Sequence, residues 1–203
     1  MDMGHAAVPP ETAGVISAIV LAAGTSTRFG ATKQLLELNG KPLVQHVVDT
    51  AVVAGVDEVV VVLGYDADAV RAALVVPPIG RVVGNPRYEE GQSTSIEAGL
   101  AACDPESEGA VVLMADQPGV APEHLAELIE RFSEERRPIT RLRYRDGPGP
   151  ALLAQEIWSE ISGLTGDVGA RELIAGRPER VHEVPVDADS PPDVDVPGDE
   201  ARL

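Results

Sequence analysis

Aromatic side chains are scarce in this sequence. Its 203 residues include one Trp, three Tyr and two Phe, so the core cannot be built on stacked rings and must be filled by Val, Leu, Ile and Ala. Aliphatic cores of that kind are common in parallel α/β sheets. Cysteine is almost missing. The single Cys103 excludes an internal disulfide, and no Cys/His cluster stands at metal-ligand spacing, in keeping with a reducing compartment. Basic charge is also short: 16 Lys and Arg face 33 Asp and Glu, a formal net charge of −17. Phosphate neutralisation supplies most of the affinity for duplex nucleic acid, so a broad basic docking face is disfavoured, and so is attachment to anionic lipid. A local basic pocket for one small phosphate ligand remains allowed. No apolar run reaches the roughly 18 residues of a membrane span. The opening MDMGHAAVPPETAG lacks the basic and apolar regions of a signal peptide. The expectation is a cytoplasmic protein that binds neither nucleic acid nor membrane.

What is present reads as one domain. A chain of this length buries about 70% of its unfolded surface, and 44% hydrophobic with 24% charged residues is ordinary globular composition. Residues 1–14 are rich in Pro, Gly and Ala and read as a flexible segment; residues 15–203 read as a single domain with an acidic tail. The apolar runs Val15–Ala22, Glu58–Leu63 and Gly109–Ala115 predict buried strands, and Arg81–Gly84 a further one. Helices are expected from Pro42 to about Ala54, over Ala67–Leu74, over Thr94–Ala102 after the loop GQS, and over Pro122–Phe132. This alternation predicts a parallel sheet with helices on both faces. Later elements are less regular: strands at Ile139–Tyr144, Ala151–Ala154 and Val181–Val186, and helical stretches at Gln155–Ile161 and Val168–Ala175.

Several constellations suggest chemistry. The first strand runs into Leu21-Ala22-Ala23-Gly24-Thr25-Ser26-Thr27-Arg28-Phe29-Gly30, followed by Lys33. Ligands of such sheets bind at the carboxyl ends of strands. Gly24 and Gly30 let backbone approach an anion, Ser26, Thr27 and loop N–H groups donate to phosphate oxygens, Arg28 offers a fork and Lys33 a mobile point charge. The segment is neither a Walker loop nor GxGxxG; the alternative is an ordinary turn with Arg28 and Lys33 in solvent. Asp116, leaving a buried strand in Met-Ala-Asp-Gln-Pro, suits a Mg²⁺ ligand or a turn cap. Gly91-Gln92-Ser93-Thr94 opens a helix and reads as an anion site or a simple N-cap. In Leu164-Thr165-Gly166-Asp167-Val168-Gly169-Ala170-Arg171, Asp167 can cap the next helix while Arg171 reaches a phosphate or the acidic centre. Asp187, Asp189, Asp193 and Asp195 form an acidic tail, most simply solvated, of which one or two residues can complete a Mg²⁺ site.

Other residues have plainer readings. Arg131, Arg136, Arg137, Arg141, Arg143 and Arg145 suggest an anion pocket or, more simply, a solvated sheet edge. His46 reads as structural, His124 as a surface residue, Trp158 as core packing, and Cys103 as a small inert residue.

The segment LAAGTSTRFGATKQLLELNGKPLVQHVV resembles the signature of the molybdenum cofactor nucleotidyltransferases. GQSTSIEAGL, MADQP and LTGDVGAR narrow the likeness to their cytidylyltransferase branch within the MobA-like NTP transferase superfamily. The resemblance spans about Ile16 to Val196. It implies a Rossmann-like three-layer α/β sandwich of nucleotide-diphospho-sugar transferase type. It also implies transfer of CMP from CTP to molybdenum-bound molybdopterin, with Mg²⁺ as cofactor, pyrophosphate as product, and a molybdenum hydroxylase as recipient of the finished cofactor. By the family pattern Leu21, Ala22, Ala23, Gly24, Ser26, Arg28 and Lys33 line the nucleotide, with Gln92 and Ser93 close by. Arg28, Lys33 and Asp116 form the catalytic set. Asp116 and, from the likeness of Asp193-Val194-Asp195-Val196-Pro197 to a late family segment, Asp195 are the metal ligands. Asp167 and Arg171 fall on the acceptor side. Ala23, where the guanylyl branch carries a second Gly, favours a pyrimidine nucleotide. The chain departs from the pattern where a Gly-His-Pro segment is usual: Gly147-Pro148-Gly149-Pro150 has no His. That leaves a GTP-dependent or other-acceptor transferase, or a non-catalytic cofactor carrier, as alternatives; an oxidoreductase is a third, against which the missing GxGxxG fingerprint counts.

Overall fold

The computed structural model describes residues 14–25, 31–161 and 177–194. Nine strands and five α-helices follow in the described chain: β1 (Val15–Ala22), β2 (Glu37–Leu38), β3 (Lys41–Pro42), α1 (Leu43–Val53), β4 (Glu58–Leu63), α2 (Ala67–Ala73), β5 (Gly80–Gly84), α3 (Gln92–Ala102), β6 (Ser107–Met114), α4 (Pro122–Glu135), β7 (Ile139–Arg143), β8 (Pro148–Ala154), α5 (Trp158–Ile161) and β9 (Val181–Pro185). Seven strands form one sheet in the order β5-β4-β1-β6-β8-β7-β9. β4, β5 and β6 run parallel with β1, β8 is antiparallel to both β6 and β7, and β9 runs parallel to β7. Only β8 is reversed.

The central strands show why the sheet forms. β4 (EVVVVL) is buried at every residue and β1 at all but its first. Strands covered on both faces lose the polar alternation of one-sided sheets. One face packs Ala18, Val20, Val59 and Val61 against α1 and α4; the other packs Ile19, Leu21, Val60 and Val62 against Ile96 and Leu100 of α3 and Ile157 and Ile161 beyond β8. The three-layer sandwich is therefore as expected. α4 starts with Pro in its first turn, buries Leu125, Leu128 and Phe132, and stops at Arg136, whose φ of 49° ends helical geometry.

The structure departs from the expected elements in several places, with β6 beginning at Ser107 and α4 running on to Glu135 among them. α3 begins at Gln92 rather than Thr94, because Gly91 at φ 117° makes the sharp entry and draws Gln92 and Ser93 into the first turn. β8 starts at Pro148, three residues early, in a hairpin where the Tyr144 amide donates to the Gly147 carbonyl (2.9 Å). A two-residue hairpin, β2–β3, turns on Asn39 and Gly40 at φ 54° and 74°. Strand β7 is not an edge: it lies between β8 and β9, and its Arg141 pairs with Glu183 of β9. Val168–Ala175 lies outside the described residues, as do residues 1–13.

Candidate functional site

The strand order reverses at β1, with β4 and β5 on one side and β6 on the other. Such switch points open a crevice at the carboxyl ends of the strands. The β1–β6 ladder continues by one bond, from the Ala115 amide to the Leu21 carbonyl (3.1 Å), and delivers Asp116 to the rim. Lys33, on a single 3₁₀ turn (Lys33–Leu35) after the first loop, meets it: Nζ lies 2.6 Å from Asp116 Oδ2, with the side chains 12% and 23% exposed. The segment carrying Lys33 is held in place on both sides. Buried Gln34 donates through Nε2 to the Gly24 carbonyl (3.0 Å), and Thr32 Oγ1 donates to Asp66 Oδ2 (2.5 Å). Largely covered charges interact more strongly than charges in bulk water. A polyphosphate can take up the lysine while the carboxylate accepts a hard cation.

The first turn of α3 reaches the same rim. Gln92 Nε2 contacts Met114 Sδ at 2.9 Å, tying the helix start to the end of β6. Ser93 is 1% exposed and its hydroxyl has no hydrogen-bond partner among the described residues, an unusual state for a buried polar atom. The turn is pinned from below by Asn85, which follows β5 and is buried. Its Nδ2 donates to Thr94 Oγ1 and Ser95 Oγ, both at 2.9 Å, and its Oδ1 accepts from the Arg87 amide (2.9 Å). Asn85 was not legible as a site residue, since an Asn between Gly84 and Pro86 reads as a turn former.

The other expected residues are distributed as follows. Leu21 and Ala22 point into the two opposite cores, so what they present to the crevice is backbone. Ala23 is buried and its carbonyl accepts from the Tyr65 amide (3.2 Å), while Gly24 is exposed. Ser26, Arg28, Asp167, Arg171 and Asp195 lie outside the described residues.

The acidic tail is not simply solvated. Residues 186–194 form a strap along the carboxyl rim. The Val186 amide donates to the Arg143 carbonyl (2.8 Å) and the Arg145 amide to the Ala188 carbonyl (3.0 Å); Arg145 pairs with Asp187 at 2.7 Å. The Ser190 amide and hydroxyl donate to Asp146 (2.8 and 2.9 Å), which holds that carboxyl below its ordinary range. Gln117 Nε2 donates to Asp193 Oδ1 (2.7 Å), and the Val194 amide reaches the Asp116 carbonyl (3.1 Å). Of the acidic tail, Asp193 is thus the described residue brought beside Asp116.

Two further expectations need correction. His124 is not a free surface residue: it meets the buried Tyr144 ring edge-on at 5.9 Å, and its Nδ1 is buried. The arginines do not lie on a sheet edge, because β7 sits between β8 and β9; Arg141 is largely covered beside Glu183, while Arg131, Arg136 and Arg145 form exposed ion pairs. His46 and Trp158 are structural as expected, bonded to the Leu38 and Leu153 carbonyls.

Residues 18–184 match the family described as the MobA-like NTP transferase domain. The chain belongs to that family. Nicotine blue oxidoreductase of Paenarthrobacter nicotinovorans is 31% identical over 173 residues, covering 80% of this chain and 83% of that protein. The crystal structure of Rv0371c from Mycobacterium tuberculosis H37Rv superposes with a TM-score of 0.85 at 35% identity, over 95% of this chain and 98% of that one; a complex of Rv0371c with manganese gives 0.80 at 34%, over 94% and 98%. A nucleotidyl transferase from Methanothermobacter (TM-score 0.77, 24% identity, 93% of this chain and 95% of that one) shares the fold. This chain is therefore a MobA-like NTP transferase domain with the nucleotide-diphospho-sugar transferase fold. Among the described residues no helix is long and apolar enough to cross a membrane.

Proposed function

We propose that this chain transfers CMP from CTP to molybdenum-bound molybdopterin in the cytoplasm, releasing pyrophosphate and supplying a molybdenum hydroxylase. The observation that carries the reading is the Lys33–Asp116 pair at 2.6 Å, set at the switch point beside Gly24. Phosphoryl-type transfer needs placement and a positive field more than proton chemistry. The acceptor is already an anionic phosphate oxygen, so no general base is required. That oxygen bonds to the α-phosphorus of CTP, the α–β phosphorus–oxygen bond breaks, and its electron pair leaves with pyrophosphate. Lys33 holds the triphosphate, the Ser93 hydroxyl supplies a buried polar group with bonding capacity to spare, and the N-terminal turn of α3 favours negative charge. Arg28 adds a second cation to the triphosphate, and Asp167 and Arg171 serve the acceptor side.

The donor set fits Mg²⁺. Asp116 offers hard carboxylate oxygen within a phosphate site, and Mg²⁺ commonly takes one or two carboxylates plus substrate phosphates. Asp195 is the second ligand in this reading, and the manganese complex of Rv0371c supports a divalent ion. When bound, the ion neutralises charge on the triphosphate. Ala23 supports a pyrimidine nucleotide by the family resemblance.

The test is pyrophosphate release with Mg²⁺ and molybdenum-loaded molybdopterin, run with CTP, GTP, ATP and UTP in parallel. Release with CTP alone is expected. Release with GTP would keep the chemistry and overturn the branch; release with none of the four would overturn the transfer reading in favour of a cofactor carrier.

A further inference from the structure

Only six aromatic residues occur in the chain, and two of them lie at the carboxyl rim beside the first loop, in neither core cluster. Tyr65 follows β4 and is 42% exposed. Its amide is bound to the Ala23 carbonyl, which places it directly beside the first loop. Tyr88, in the 3₁₀ turn Tyr88–Glu90 after β5, is half-buried. Its side chain crosses over Gly64. A Cβ added at Gly64 would lie 2.6 Å from Tyr88 Cβ, 2.7 Å from its Cγ and 2.9 Å from Ala23 Cβ, so the absence of a side chain there is what lets the ring come down against the loop. Burial, the Glu89 carboxylate and the Tyr65 phenol all push the Tyr88 hydroxyl above its usual range, so the ring is uncharged at neutral pH. Three loops, after β1, β4 and β5, thus bring two tyrosines to Ala23.

Charge orients whatever binds here. The Lys33 cation stands toward β6, at Asp116. On the β5 side the turn carries Glu89 and Glu90, and Arg87 is committed to Glu90 and Glu97. Phosphates are drawn to the first side and repelled by the second, which leaves the tyrosine side for the uncharged end of a nucleotide.

We propose that Tyr65 and Tyr88 form the aromatic flank of a nucleobase subsite, a role that rests on the nucleotide reading above. Stacking on a tyrosine face is tolerant of base identity because every base has a π-face. The flank therefore supplies affinity for any nucleoside triphosphate, and discrimination falls to the polar groups beside it.

The experiment measures binding of CTP and, separately, of inorganic tripolyphosphate by calorimetry. It uses the full chain and its Tyr65→Ala, Tyr88→Ala, Tyr88→Leu and Tyr88→Phe variants, each checked for an unchanged unfolding midpoint. CTP affinity is expected to fall roughly tenfold in either Ala variant and in Tyr88→Leu, to persist in Tyr88→Phe, and tripolyphosphate affinity to stay constant throughout. Unchanged CTP affinity in both Ala variants overturns the subsite. An equal loss for tripolyphosphate also overturns it, since the substitutions would then act by moving the first loop. A wild-type chain that binds tripolyphosphate no worse than CTP overturns the base subsite while keeping the phosphate site; one that binds neither overturns the nucleotide reading itself, and the subsite with it.

Discussion

At the amino ends of the strands, Ser17 Oγ donates to Glu58 Oε2 (2.8 Å) and lies 3.0 Å from Ser107 Oγ, and the Asp104 amide donates to the same Glu58 oxygen (2.8 Å). Arg81 sits 2.6 Å from Glu58 Oε1 in an ionic contact that lacks hydrogen-bond direction. Beside them, burial pushes the Cys103 thiol up to about 11. At the carboxyl ends, the Ser93 hydroxyl is buried without a hydrogen-bond partner among the described residues, and Lys33 and Asp116 meet at a rim that a ligand can reach. Both ends bury polar atoms. The first engages them with one another, with Arg81 facing the remaining Glu58 oxygen, and so stabilises; the second leaves capacity that a ligand can fill. That asymmetry separates a structural polar network from a binding one more reliably than residue type does.

The comparison can be broken or sharpened by substitution. Asp116→Asn is expected to cut turnover on the order of 10²-fold or more, with an unchanged thermal unfolding midpoint; an equal loss of stability would make the pair structural. Glu58→Ala should show the converse. It strands Ser17 and the Asp104 amide, costing about 2–3 kcal/mol of unfolding free energy by urea titration, and it should speed alkylation of Cys103 at pH 8 while nucleotide affinity holds. Asn85→Ala lies between the two cases. Loss of its three bonds should cost about 1–2 kcal/mol and raise the KM for nucleotide more than it lowers kcat, because the α3 first turn loses its pin; a kcat loss without a KM change would break the comparison at that point. The smallest effect concerns Asp146. The Ser190 amide and hydroxyl hold it below the ordinary value of 3.8, so the folded state binds its proton less readily than the unfolded one. Its contribution is complete above about pH 4 and is lost as pH falls through the lowered value. Protease cleavage within residues 187–193 should rise below that pH in the native chain, and in Asp146→Asn it should be raised already at neutral pH.

The parts legible in the sequence were those with local causes. β1 and β4 announce themselves as unbroken apolar runs, and α4 by Pro122 with apolar residues at helical spacing. The β2–β3 hairpin carried its own sign, Asn39-Gly40, a strong turn pair, but two-residue strands leave no alternation to notice. The position of β7 was hidden for another reason. Its pairing with β9 depends on residues about forty positions away, which local pattern cannot supply. The candidate site divides in the same way. Lys33, Asp116, Gln92 and Ser93 were visible as residue types at strand exits and helix starts. Their mutual placement, the tie from Asp193 and Val194, and the role of Asn85 depend on the sheet bringing distant loops to one rim.

The bond from the Val194 amide to the Asp116 carbonyl makes one backbone hydrogen a witness to the crevice. Val194 is fully buried, so its amide exchanges with solvent only when the strap lifts from the acid. A ligand that grips Asp116 slows that single exchange rate, and one that displaces the strap quickens it. Occupancy of the site can thus be followed from the protein's own backbone, without turnover and without a labelled substrate.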